Sequence, residues 1–194
     1  MDTTNWKWFR YDEIFDIKGS KTTPIEDLEA YGKGDFPYVT TQAVNNGVEG
    51  FYNYSTEKGG VLTVDSAVLG FCSYQEKDFS ASDHVEILRP KFSMNKYIAL
   101  FLTTIINREQ YKYSYGRKCS QVKLRRSRIK LPVTPEGAPD WQFMENCIKS
   151  LPYSKNIAPS QPNEIIDEMM EVKKEIISLR KQLQSQHAAQ VVNY

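Results

Sequence analysis

The hydrophobic period of this chain changes twice, and each change restricts what the segment can become. Residues 6 to 91 carry short apolar runs broken by turn signals. Ile14-Phe15-Asp16-Ile17 precedes Lys18-Gly19-Ser20, and Thr22-Thr23-Pro24 breaks the chain again. Tyr31 to Asp35 reads as a loop and Phe36 to Thr41 as a strand, with Pro37 placing its start at an edge. Asn45-Asn46-Gly47 and Gly59-Gly60 mark tight turns. Val61 to Val64 and the alternating Val85-Glu86-Ile87-Leu88 read as further strands. From Ser93 the spacing is helical: Met94, Tyr97, Ile98, Phe101, Leu102, Ile105 and Ile106 predict a helix to about Asn107, capped by Ser93 or Asn95. Ile129 to Val133 predicts a strand. Asp140 caps a short helix that buries Trp141, Met144, Ile148 and Leu151 and ends at Pro152.

The second change follows a Pro-, Ser- and Asn-rich stretch. Ile165, Met169, Val172, Ile176, Leu179 and Leu183 alternate in steps of four and three, which is the seam of a coiled coil. A helix of this kind pairs with another helix or folds back on its own domain. The chain therefore reads as α+β. A small, irregular, β-rich domain with packed helices spans residues 1–152, and a linker spans 153–163. A long coiled-coil-type helix follows at 164–187, with a frayed tail at 188–194.

Charge is distributed as unevenly as hydrophobicity. From Gln110 to Pro135 there are eight Lys or Arg and no Asp or Glu, although the whole chain is only +1. Tyr111, Tyr113, Tyr115 and Gly116 sit at the front of this run. The remainder is net acidic, so the field is polarised, and the usual partner of such a field is a phosphate backbone. The alternative is a solvated basic loop beside a helix that recruits an unrelated protein; steep weakening of binding by salt separates the two.

Other chemistry is thin. Three widely spaced cysteines argue against a disulfide framework and for a reducing compartment. No stretch approaches eighteen apolar residues and no signal-peptide core opens the chain, so the expectation is a cytoplasmic protein without a membrane partner. His84 and His187 have no ligand-spaced neighbours. Phosphate-binding and nucleophile-elbow motifs are absent. Asp35-Phe36-Pro37-Tyr38 is superficially like an amino-methyltransferase loop, but it lacks the first proline and a Gly-rich cofactor loop before it. No catalytic residue, metal or cofactor is expected, and the chain reads as a non-enzyme.

Gly19 with Thr22-Thr23-Pro24, Phe36-Pro37-Tyr38-Val39-Thr40-Thr41 and Asn46-Gly47-Val48 stand in a telling order. Gly60-Val61-Leu62, Gly70, the Tyr97–Ile106 helix, Gly116-Arg117-Lys118 and Ile129-Lys130-Leu131-Pro132 continue it. Pro135, Gly137 and Pro139-Asp140-Trp141 close it. The series resembles a target recognition domain of the DNA specificity (S) subunits of type I restriction-modification systems and the related type IIB systems. The resemblance covers about residues 6 to 185. It implies a subunit that carries no reaction, binds double-stranded DNA at a bipartite sequence, and holds methyltransferase (M) subunits there, with restriction (R) subunits joining in type I systems. The usual subunit has two recognition domains and two long antiparallel helices, whereas this sequence has one of each. It looks like a half subunit that forms a homodimer through Ile165, Met169, Val172, Ile176, Leu179 and Leu183, or pairs with a different half.

Two groups of residues are expected to meet DNA. In the basic run they are Tyr115, Arg117, Lys118, Gln121, Lys123, Arg125, Arg126 and Arg128, because Arg binds guanine in a bidentate way and Lys marks phosphate. If the run is extended, Arg125 and Arg126 must point apart. In the N-terminal loops they are Lys18, Thr22, Thr40, Thr41, Gln42, Tyr74 and Gln75, with Gln42 and Gln75 the best candidates for adenine. Asn45 and Asn46 read first as a turn.

Overall fold

The computed structural model describes residues 3–67, 69–114 and 116–154, which belong to one unit, Met1–Ser154. Its elements in chain order are β1 (Lys7–Arg10), α1 (Tyr11–Ile14), β2 (Phe15–Gly19), α2 (Ile25–Tyr31), β3 (Lys33–Val39), β4 (Val48–Tyr52), β5 (Val61–Asp65), β6 (Cys72–Gln75), β7 (Ser80–Ala81), β8 (Val85–Pro90), α3 (Lys96–Asn107), α4 (Gln121–Arg126), β9 (Arg128–Leu131) and α5 (Trp141–Lys149). The fold is α+β. The proposed linker beyond Ser154, the C-terminal helix and its seam lie outside the described residues.

The centre is a four-stranded sheet in the order β2-β8-β5-β6, antiparallel throughout. Its register places Ile17, Leu88, Leu62 and Tyr74 in one row across the strands. Side chains alternate along a strand, so this row and the next but one, Gly19-Glu86-Val64-Cys72, face one way. That face packs against Ile98, Ala99, Phe101 and Leu102 of α3, Leu124 of α4, Ile129 and Leu131 of β9 and Met144 of α5. The intervening rows face the other way, where Val61, Val85 and Ile87 meet Val39, Phe79 and Ala81 of a second layer. That layer is the three-stranded sheet β4-β3-β7, mixed because β3 runs antiparallel to β4 and parallel to β7. A third cluster, Leu28, Tyr38 and Tyr52, seats α2 on it. β1 and β9 form a separate antiparallel ribbon.

Both faces are therefore covered at the inner strands β5 and β8, while the outer face of the edge strand β2 stays exposed at Asp16 and Lys18, and Val85 to Leu88 are all buried rather than alternating. β3 starts at Lys33, inside the expected loop, and ends at Val39. Pro37 is nonetheless at an edge on one side, since β7 reaches only Tyr38 and Val39. Gly19 is the last residue of β2, not the apex of a turn. Asn45, Asn46 and Gly47 form a single tight turn with φ of 50°, 57° and 76°, the left-handed region that Asn and Gly tolerate best. Asn95, not Ser93, caps α3: its side chain accepts from the Ile98 amide at 3.0 Å. Asp140 caps α5, accepting from the Phe143 amide at 2.8 Å. Leu151, expected inside, is exposed because it lies beyond the last turn of α5.

Leu62 stands where β5 crosses the row that joins the sheet to α3, and it is fully buried. Leu62→Ala should lower the unfolding free energy by about 2–5 kcal/mol, read as a reduced urea midpoint with an unchanged slope.

Candidate nucleic-acid interface

The basic run is not extended. Ser114 and Arg117 bridge each other across a tight turn whose tip includes Gly116, and α4 follows after a short connection. Ser120 caps α4, its hydroxyl accepting from the Lys123 amide at 3.4 Å. Leu124 is the single residue that α4 buries. Successive residues on a helix turn by about 100°, so Arg125 and Arg126 diverge without lying on opposite faces.

The fold separates the eight cations into two sets. Lys112 is half-buried, paired with Glu109 and set over the Trp8 ring; loss of hydration holds its ammonium below the usual lysine range. Lys130 donates to the Thr3 carbonyl at 2.9 Å. The other six, Arg117, Lys118, Lys123, Arg125, Arg126 and Arg128, are exposed. Among the described residues, Arg117, Lys123, Arg125, Arg126 and Arg128 form no ion pair. Two of them are oriented by backbone carbonyls: Lys123 Nζ donates to Lys118 at 2.8 Å, and the Arg125 guanidinium donates to Ile17 in the middle of β2. Tyr115 lies outside the described residues.

Beneath this surface the segment is anchored by Cys119, which has no exposed surface. Gly70, at φ of 71°, lies so close that a Cβ there would stand 3.0 Å from the Cys119 Sγ. Burial pushes the Cys119 thiol up to about 11 and the Tyr113 hydroxyl beside it up to about 12. Gln121 points inward, donating to the Glu86 carboxylate at 2.9 Å; this partly buried amide ties α4 to the central sheet.

The N-terminal candidates fall into three environments. Lys18 in β2 and Thr22 on the arm that leaves it are exposed. Lys18 pairs with the buried Glu57 at 3.1 Å. Thr40, Thr41 and Gln42 are half-buried where β3 ends, and the Gln42 amide donates to the Val48 carbonyl at 2.6 Å. Tyr74 is half-buried in β6 and helps line a cleft of about 690 Å³ with Asn45, Asn46, Val48 and Phe51. Gln75 corrects the expectation. It is 2% exposed, and its amide nitrogen donates to the Asn46 carbonyl at 3.0 Å and the Thr63 hydroxyl at 3.2 Å. It fastens the Asn45–Gly47 turn to the sheet and has no donor left to offer a base.

A series of hydrogen bonds joins the basic segment to the exposed arm. Arg125 holds Ile17, the Ser20 hydroxyl donates to the Ser82 carbonyl at 3.3 Å, and the Ser82 amide donates to Val39 at 2.9 Å. α4, the end of β2 and the end of β3 are thus consecutive in space. Gln42, beyond this line, is turned back on its own loop. Glu57, which the sequence does not single out, sits behind the arm. No local signal marks it, because its partners are 36 and 39 residues away. Among the described residues no cluster of three or more His, Cys, Asp or Glu could hold a metal ion.

Comparison with known proteins gives a consistent picture. The family model of the type I restriction modification DNA specificity domain matches residues 3–158. The specificity subunit S.BcgI of the type II restriction enzyme BgcI from Heyndrickxia coagulans is 31% identical over 147 residues, 73% of this chain and 42% of its own length. Among solved structures, the HsdS subunit from Thermoanaerobacter tengcongensis is similar with a TM-score of 0.56 at 13% identity, over 80% of this chain and 39% of that one. The S subunit of a type I restriction-modification system from M. genitalium gives 0.55 at 14%, over 96% and 45%. At such identities these structures speak for the fold alone. The chain spans less than half the length of these relatives.

The two sets of polar residues should respond differently to truncation. Gln75→Ala leaves the Thr63 hydroxyl and Asn46 carbonyl without their buried donor and should cost about 1–3 kcal/mol of stability. Arg126→Ala, with nothing buried and no partner, should stay within about 0.5 kcal/mol. Chemical denaturation of both variants checks the contrast.

Proposed function

The chain belongs to the type I restriction modification DNA specificity domain family, and we propose that it is the sequence-selecting, non-catalytic subunit of a restriction-modification complex. One observation carries the reading. Six cations of a chain whose net charge is only +1 are exposed on one short segment, Arg117 to Arg128, whose scaffold is held from below by Leu124, Cys119 and Gln121. A surface of that kind gains binding energy from a phosphate backbone through release of condensed counterions. It gains little from a neutral partner. The neighbouring arm at Thr22 and the β3 end at Thr40 and Thr41 supply short polar groups of the sort that read base edges, while the cations, with Lys18 of β2 beside them, set position.

In this reading the chain binds double-stranded DNA and directs methyltransferase subunits, and in a type I system restriction subunits, to a bipartite site. Two copies pair through the seam from Ile165 to Leu183, after a linker at 153–163, so that two half-sites are held at once. A helix of this length is marginal alone in water, and burying each seam residue offers roughly 1.5–3 kcal/mol by transfer before entropy is subtracted. The three free thiols suit a reducing, cytoplasmic setting.

Two measurements test the reading. Arg117→Ala with Lys118→Ala should weaken duplex binding and reduce the slope of log affinity against log salt by about 0.9 for each phosphate that is no longer neutralised. Fluorescence anisotropy over a salt series reads this, and an unchanged slope would leave the segment a solvated loop. Val172→Glu with Ile176→Glu should yield a folded monomer in sedimentation velocity where the parent chain is dimeric; a double mutant that still pairs would move assembly to the recognition domain.

A further inference from the structure

A buried carboxylate beneath a DNA-binding face is costly unless something needs it there, because it repels phosphate and loses hydration. Glu57 is such a group. It is 7% exposed. Its backbone is pinned to Phe79, the Glu57 amide donating at 2.8 Å and the Phe79 amide returning at 3.0 Å. Phe79 itself is fully buried in the second core, so Glu57 projects from a rigid base. Its two carboxylate oxygens take different donors, one from β2 and one from the arm that leaves it. One accepts from Lys18 Nζ at 3.1 Å, the other from the Lys21 amide at 2.8 Å. Hydrogen bonds to an ionised acceptor are shorter and stronger than neutral ones.

The rest of the arm is fastened by neutral bonds. The Ser20 amide donates to the Val85 carbonyl at 2.9 Å and the Thr23 amide to Ala81 at 2.8 Å. The Thr23 hydroxyl lies 3.3 Å from that of Thr56, and the Tyr38 hydroxyl donates to the Thr23 carbonyl at 3.1 Å. Ser20, Lys21 and Thr23 thus point their bonding groups inward. Lys18 and Thr22 remain outward, and the Lys18 side chain is 56% exposed although one end of it is paired.

We propose that Glu57 is a positioning residue for sequence selection: its carboxylate clamps the Lys18 side chain of β2 and the backbone of the Ser20–Thr23 arm together, so that Lys18 and Thr22 meet DNA in a single pose. The inference rests on the DNA-binding reading above. Pairing with β8 already fixes the register of Lys18, so what the carboxylate adds is the direction of the Lys18 side chain and the place of the Lys21 backbone. Lys18 held by Glu57 is withheld from indiscriminate phosphate binding, so the clamp favours selectivity over general affinity.

Binding selection with the full chain and a library of random-sequence duplexes tests this, alongside amide exchange of the free protein. Glu57→Gln keeps an acceptor for one donor and removes the charge that holds Lys18. The preferred-over-random discrimination of this variant should fall roughly tenfold, the scale of one poorly matched base pair. Its salt slope on random duplex should steepen by about 0.9 as Lys18 is freed to a phosphate, a change that a purely structural role would not produce. The Lys21 amide should exchange faster while that of Thr23 stays protected. A Glu57→Gln protein that enriches the wild-type sequence with undiminished discrimination overturns the inference and leaves DNA binding standing. A wild type that enriches no sequence overturns both. If Glu57→Gln does not fold, Lys18→Gln, which alters only an exposed end of the pair, must itself lose discrimination with Lys21 still protected; full discrimination in that variant also overturns the inference.

Discussion

Burial of the central sheet on both faces is the constraint from which the rest of this unit follows. Every residue of β5 from Val61 to Asp65 is buried, and alternate side chains feed different cores. A strand in that position cannot slip by one residue without exchanging the contents of the two cores, so its register is strongly specified. β8 beside it is equally covered, and β2 follows β8 over five paired residues. The candidate interface is hung from this frame. α4 rests on it through Leu124 and the Gln121–Glu86 bond, and the recognition arm begins where β2 leaves it. The outer groups therefore occupy fixed places although they contribute little stability of their own.

What was legible in the sequence followed from local chemistry. Helix α3 was readable because its apolar residues recur three and four apart over three turns, and α5 because Asp140 could satisfy its first amides. The Asn45–Gly47 turn was readable because few residues adopt positive φ cheaply. The elements that escaped lack such signals. α4 is six residues long and buries one side chain, so it has no apolar stripe to detect. α2 is seven residues with Leu28 alone buried, and its boundaries at Pro24 and Gly32 looked the same as loop punctuation. Neither helix would persist alone, since nucleation costs more than so few bonds return. Both exist because the surrounding fold offers one apolar socket each.

For the site, the sequence disclosed composition but not direction. Charge density identified the basic segment, since Coulombic fields add whatever the detailed fold. It did not show that Lys112 and Lys130 are engaged elsewhere, which depends on Glu109 and on the Thr3 carbonyl. Gln75 and Gln42 have the side chain that best suits adenine, and that same amide serves equally well inside a protein. Gln75 lies between the Asn46 carbonyl and the Thr63 hydroxyl, and both partners arrive through pairing of distant strands. A polar side chain at a turn is ambiguous until its partners are known, because a buried amide must be satisfied and an exposed one need not be.

In the DNA-binding reading proposed above, two buried carboxylates separate affinity from selectivity. Glu86 accepts from the Gln121 side chain of α4, and Glu57 from Lys18 and from the backbone of the arm that follows β2. At physiological salt the field of an exposed charge decays over about 8 Å, so the six outer cations dominate what an approaching phosphate experiences. The acids act at hydrogen-bond range, on α4 and on the arm that follows β2. Long-range attraction is insensitive to an error of an ångström, whereas bidentate pairing with a base edge is not. The arrangement thus assigns the tolerant task to long side chains in solvent and the exacting one to backbone fixed by buried bonds. Outward residues of α4 could then be exchanged while the row from Ile17 through Leu88 to Leu62 keeps its packing, because Leu124 is the one residue that α4 buries in that core.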